Sequence, residues 1–130
     1  MPGKAQRVHS AAPWESEVGY CRAIRRGDHI WVTGTAPVAP DGSVFAPGDP
    51  YRQTGRCLEI ISQALAALGA STSDVVRTRM FCTDIGQWRE IGRAHGEVFR
   101  DQPPATTLVE VSSLIDPAML IEIEAEAFLG

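Results

Sequence analysis

The sequence is poor in the residues that staple or metallate small proteins. It has three cysteines, Cys21, Cys57 and Cys82, an odd number with no C-x-x-C spacing. That argues against a disulfide framework and leaves a zinc site without a ligand set. Three histidines, His9, His29 and His95, form no H-x-H or H-x-x-x-H pattern, so no metal is expected. Positive charge is also short: 12 Lys and Arg stand against 16 Asp and Glu, for a net charge of −4. Nucleic-acid binders usually show a basic stripe or the opposite balance, so no nucleic-acid partner is expected. No apolar run approaches the roughly 18 residues of a membrane span. The opening stretch, Met1 to His9, lacks the apolar centre of a signal peptide. These absences predict a cytoplasmic protein with no membrane partner. Internal repeats and low-complexity tracts are absent too.

Hydrophobic residues make up 44% of the 130 positions and charged residues 22%, an ordinary globular mixture. The length predicts one domain over residues 1–130, with residues 1–17 as a loosely ordered arm. Tyr20 to Ile24 and His29 to Thr35 read as strands joined by a turn at Arg26-Gly27-Asp28, a hairpin. Residues 37–50 are punctuated by proline and glycine and predict a loop, with at most a short strand at Val44-Phe45. A helix is predicted from Pro50 to Leu68. Asp49 would be its N-cap, Pro50 its first residue and Gly69 its stop, with Cys57, Leu58, Ile61, Ala64, Leu65 and Leu68 on one face. Asp74 to Thr83 reads as a strand. A second helix, about Gln87 to Phe99, would bury Ile91, Ala94, Val98 and Trp88. Pro103-Pro104 stops it, and strands follow at Ala105–Val111 and Met119–Phe128. The order β-β-(β)-α-β-α-β-β predicts an α+β fold: one mixed sheet with both helices on one face.

The last strand alternates strictly. Ile121, Ile123, Ala125 and Ala127 share one side, and Glu122, Glu124 and Glu126 the other. In the strand before the second helix, Val76, Thr78, Met80 and Cys82 oppose Arg77, Arg79 and Phe81. The helix-free face therefore carries a carboxylate row and guanidiniums. Such a face is either solvated or covered by another copy of the chain, since carboxylates on one strand repel unless cations stand opposite.

Several segments then resemble one family. Val32-Thr33-Gly34-Thr35-Ala36-Pro37 is similar to the V-S-G-Q-x-P segment of the Rid (YjgF-like) reactive-intermediate deaminases. The likeness extends through Gly69-Ala70-Ser71, Asp74 to Thr78, Phe81-Cys82-Thr83-Asp84, Pro104 to Val111 and Ile121 to Ala125. The resemblance implies a chorismate-mutase-like sandwich of about six strands and two helices. It also implies a homotrimer with small-molecule clefts between subunits, and hydrolysis of enamines or imines without a cofactor. Carried over residue by residue, it implies that Glu122 orders the attacking water. The ligand would meet Tyr20, Thr33, Arg79, Phe81, Thr106 and the backbone carbonyl of Leu108. In the deaminating branch the strand reads P-A-R-S, and its arginine grips the substrate carboxylate. Here Thr106 stands at that position. A threonine hydroxyl supplies one uncharged donor against the five of a guanidinium, a difference of about 2–5 kcal/mol in binding. Deamination of 2-imino acids is therefore expected to be weak.

Each candidate has a plainer alternative. Glu122 would otherwise be an ion-pair partner, Arg79 a structural partner for Glu110, Glu122 or Glu124, and Tyr20 a half-buried strand aromatic. His95 reads as a packing histidine, because Glu97 lies two positions away and faces elsewhere on a helix. An arginine placed at 106 is expected to stand on the helix-free face beside Glu122. Two functions remain open: a hydrolase acting on C=N bonds, and a non-catalytic trimer that binds or quenches small metabolites. Whether Arg22 or Arg79 enters the cleft would separate them.

Overall fold

The structure is a computed structural model and describes residues 4–130. Six strands form one mixed sheet: β1 (Gln6–Val8), β2 (Ala23–Arg26), β3 (His29–Thr35), β4 (Val75–Cys82), β5 (Ala105–Glu110) and β6 (Ile121–Phe128). Their order across the sheet is β1-β2-β3-β6-β4-β5. Only β4 and β5 run parallel, and every other pair is antiparallel. Helices α2 (Pro50–Ala67) and α3 (Trp88–Phe99) lie together on one face, and a short α1 (Trp14–Val18) precedes β2. The predicted α+β architecture holds.

Local chemistry explains the elements that position the site. Gly27 takes φ +59° in the tight turn that pairs Arg26 with His29, a conformation that glycine adopts without steric cost. Asp49 caps α2 by accepting from the Arg52 amide at 3.0 Å, just before Pro50. Helix α2 lays Cys57, Ile61 and Leu65 against Ile121 and Ile123 of β6, all fully buried. Gln53 is buried as well. Its side chain donates to the carbonyls of Ala46 and Ala118 and accepts from the Leu120 amide at 2.8 Å. That clasp holds the approach to β6 against α2.

Four expectations are corrected. The arm is not loose over residues 6–18: Gln6–Val8 pairs with β2, and Trp14–Val18 is helical. The first hairpin strand begins at Ala23 rather than Tyr20. Gly19 ends α1 at φ +90°, and the Tyr20 amide donates to the Glu15 carbonyl, so it is unavailable to the sheet. Val76 faces solvent, because a register shift between Val75 and Arg77 turns Val75 inward in its place. In α3, Val98 and Trp88 are exposed, and Phe99 completes the buried stripe with Ile91 and Ala94. The segment 37–50 holds a single bridge, Val38 to Val44.

Candidate functional site

A cavity of about 740 Å³ lies beside the end of β3. Its walls come from α1 and the residues before it, from Thr33 to Ala36, from the loop at 38–42, from Arg56, Ile60 and Gln63 of α2, and from Val111 to Ile115. Tyr20, Arg22, Phe81, Glu122 and Glu124 complete the lining. Most of the wall is apolar, as ligand pockets usually are.

A register shift between Val32 and Thr35 shapes the centre of this wall. It breaks the β3–β6 ladder at Thr33-Gly34. The Gly34 carbonyl accepts from Arg22 at 2.8 Å, and the Thr33 hydroxyl donates to the Cys21 carbonyl at 2.8 Å. Opposite, the Glu122 carboxylate rests directly on Gly34. A Cβ at Gly34 would lie 2.5 Å from Glu122 Oε2. Only glycine admits the carboxylate there. Burial pushes the Glu122 pKa up, the Arg22 charge opposes that, and Glu124 adds to it; the net is above the ordinary glutamate value.

Arg22 and Glu15 form a buried ion pair at 3.2 Å, with side chains 7% and 4% exposed. Ser10 also binds Glu15, through its amide at 2.9 Å and its hydroxyl. Burial raises the Glu15 pKa, but the two Ser10 hydrogen bonds and Arg22 outweigh it and leave it lowered. The pair fastens α1 and its approach to the cavity wall.

Residues 10–129 match the family described as Endoribonuclease L-PSP. The chain belongs to this family, the Rid/YjgF proteins. Among curated Rid relatives, an uncharacterised protein of Streptomyces coelicolor is 37% identical, covering 96% of this chain and 92% of its own. The 3-aminoacrylate deaminase RutC of Acinetobacter baylyi is 32% identical, covering 83% and 85%. Among solved structures, Rv2704 of Mycobacterium tuberculosis, described as a member of the YjgF/YER057c/UK114 family, superposes with a TM-score of 0.87 at 42% identity. That alignment covers 97% of this chain and all of the other.

The cavity of this Rid chain brings together four of the seven candidate residues, Tyr20, Thr33, Phe81 and Glu122. Arg79, Thr106 and Leu108 lie outside its lining. Arg79 donates to Glu124 at 3.1 Å and Glu126 at 3.3 Å, the structural partnership among its two readings. Thr106 is not beside Glu122 within one chain. Its hydroxyl lies 2.8 Å from that of Thr78, which lies 2.9 Å from Nε2 of His95 on α3. Thr106 thus shares the helix side of the sheet, at the outer edge strand. Leu108, two residues on, packs against the core from the same side. His95 packs at a tilt against Phe99, with ring centroids 4.6 Å apart, and burial pushes its pKa down. Glu97 turns away and accepts from Tyr51 at 2.5 Å. Among the described residues no cluster of His, Cys, Asp and Glu could hold a metal ion, and no helix is long and apolar enough to cross a membrane. Sequence reasoning missed Glu15. Pro13 before and Gly19 after Trp14-Glu15-Ser16-Glu17-Val18 were the available signal for a short helix that presents it.

Proposed function

We propose that this Rid protein is a cytoplasmic homotrimer that hydrolyses a C=N or enamine bond in its cavity, without a cofactor. The observation that carries the reading is Glu122: a desolvated carboxylate seated on Gly34, inside an apolar cavity, with no hydrogen bond or ion pair among the described residues. A carboxylate in this state is a stronger base than an exposed one, because burial raises its pKa. With the imine nitrogen protonated, water held by Glu122 adds to the imine carbon as one of its protons passes to the carboxylate, giving a neutral carbinolamine. The carbinolamine then collapses: Glu122 gives that proton to nitrogen, the C–N bond breaks as the hydroxyl oxygen forms C=O and releases its own proton to solvent, and ammonia and a carbonyl compound leave. RutC, at 32% identity, is named for deamination of an enamine, which supports this class of reaction.

The helix-free sheet face supports association. It carries exposed Trp31, Val109 and Phe128 around the Arg79–Glu124–Glu126 pairs, a surface that copies of itself would cover. The family likeness, rather than this face, would bring Thr106 on the edge strand to the cavity of a neighbouring copy. Thr106 brings a hydroxyl where the deaminating branch brings arginine, so 2-imino acids would turn over slowly. The lack of that cation also favours the second reading, a trimer that binds small molecules without turnover. RNA cleavage is disfavoured: net charge is −4 and the cavity holds an unpaired carboxylate, which would repel phosphates. Semicarbazide trapping of enzymatically generated imines tests the choice. Faster imine loss with wild type than with Glu122→Gln is expected. Equal rates for the two proteins would leave the binding trimer.

A further inference from the structure

Two guanidiniums line the cavity, and each already has a carboxylate. Arg22 donates to Glu15 through Nε at 3.3 Å and Nη2 at 3.2 Å, while its Nη1 serves Gly34 O at 2.8 Å and Thr35 Oγ1 at 3.2 Å. Arg56 donates to the Val38 carbonyl at 2.8 Å and pairs with Glu59. Glu124 is held by Arg79 at 3.1 Å. Glu122 alone has no cation bonded to it among the described residues. Arg79 also serves Glu126 at 3.3 Å, so carboxylates outnumber guanidiniums in and around the cavity.

We infer that Glu15 is a specificity-determining residue: by neutralising Arg22 it makes the cavity a site for an uncharged or cationic C=N compound with an apolar body, and closes it to carboxylates. This rests on the reading that the cavity is the ligand site. A carboxylate entering it would shed water against apolar walls, face Glu122 and find Arg22 taken. An iminium or ammonium group would face Glu122 and the rings of Tyr20 and Phe81. Glu15 does not line the cavity itself. Glu15→Gln removes the charge behind the wall and keeps a side-chain oxygen to accept from Ser10 and Arg22, which line it.

Calorimetric titration with benzylammonium, benzamide and benzoate, three probes of similar shape and different charge, reads this directly. Wild type should bind benzylammonium and benzamide about tenfold or more tightly than benzoate. Glu15→Gln, which frees Arg22, should tighten benzoate by about tenfold. Glu59→Gln, which frees Arg56, should leave benzoate unchanged. The inference is overturned if wild type prefers benzoate, binds none of the probes, or keeps its ranking in a folded Glu15→Gln protein. A benzoate gain in Glu59→Gln instead would also overturn it, by naming Arg56 as the anchor. A variant that spares the buried pair guards against loss of fold: Glu122→Gln should cut the benzylammonium-to-benzoate preference about tenfold, and an unchanged preference refutes the idea. Binding is read without turnover. An inactive protein that ranks the probes as expected upholds this inference while refuting the hydrolase, and an active one that prefers benzoate does the reverse.

Discussion

Replacing Gly34 with alanine displaces Glu122 without altering it. The new Cβ would lie 2.5 Å from Oε2 and 3.2 Å from Cδ of Glu122. Ordinary contact needs about 3.4 Å, so the carboxylate must withdraw by about 1 Å. The strand itself has little reason to move. Gly34 is not among the glycines at positive φ, and the clashing atoms end a flexible side chain. Stability should hold or rise by about 0.5–1 kcal/mol, the usual gain of alanine over glycine inside a strand. A shift of about 1 Å in a catalytic group costs on the order of 100-fold, or about 2.7 kcal/mol of barrier. Semicarbazide trapping gives kcat/KM, and thermal melting reports the fold. Gly34→Ala should melt at or above wild type and lose most of its turnover. Gly34→Ala/Glu122→Gln should be no slower than Glu122→Gln alone, since both changes disable one group. A well-folded Gly34→Ala enzyme with undiminished turnover would refute the role given to Glu122, as would losses that add.

Because the Glu122 pKa is raised in the folded protein, its protonated form favours folding, and that contribution fades as pH rises through the folded value. Glu122→Gln should therefore gain in melting temperature over wild type near pH 8, and the gain should vanish below the ordinary glutamate value of 4.5. Thr106→Arg should raise 2-imino acid turnover, but only while the protein is assembled, since residue 106 lies on the edge strand away from Glu122 of its own chain. Rescue that survives dilution to monomers would contradict this placement. Arg79→Ala leaves Glu124 and Glu126 without their shared cation. Sedimentation should show weakened self-association, and an unchanged mass distribution would remove Arg79 from the interface.

How much of this was legible in the sequence depends on whether a feature is local. The alternation in Ile121–Phe128 names its buried face outright, because a strand of period two has one way to bury Ile121, Ile123, Ala125 and Ala127. Asp49-Pro50 marks the start of α2 for equally local reasons. Non-local causes hid the rest. Gln6–Val8 is short and polar, and becomes a strand only because β2 offers a free edge. Val76 has the parity of Met80 and Cys82, and it is the bulge against β6 that turns it out. Residue 106 is exposed on an edge strand, so its polarity carries no record of which face it takes. Glu15 and Arg22 meet through the turn at Gly19, a contact between two segments whose own residue patterns carry no sign of each other.

The order of the sheet also sets a schedule for folding. Strand β6 comes last in sequence yet sits between β3 and β4, with β1-β2-β3 on one side and β4-β5 on the other. A nascent polypeptide can form the β2–β3 hairpin early, but its two half-sheets have no bridge until residues 121–128 have emerged. Pairing β3 with β6 closes a loop of some 90 residues, a contact of high sequence separation that slows folding. Until then α2 has no β6 to cover, and the apolar faces of both halves stay open to aggregation. Since Glu122 rides on β6, the cavity gains its carboxylate only when the strand that joins the two half-sheets is in place.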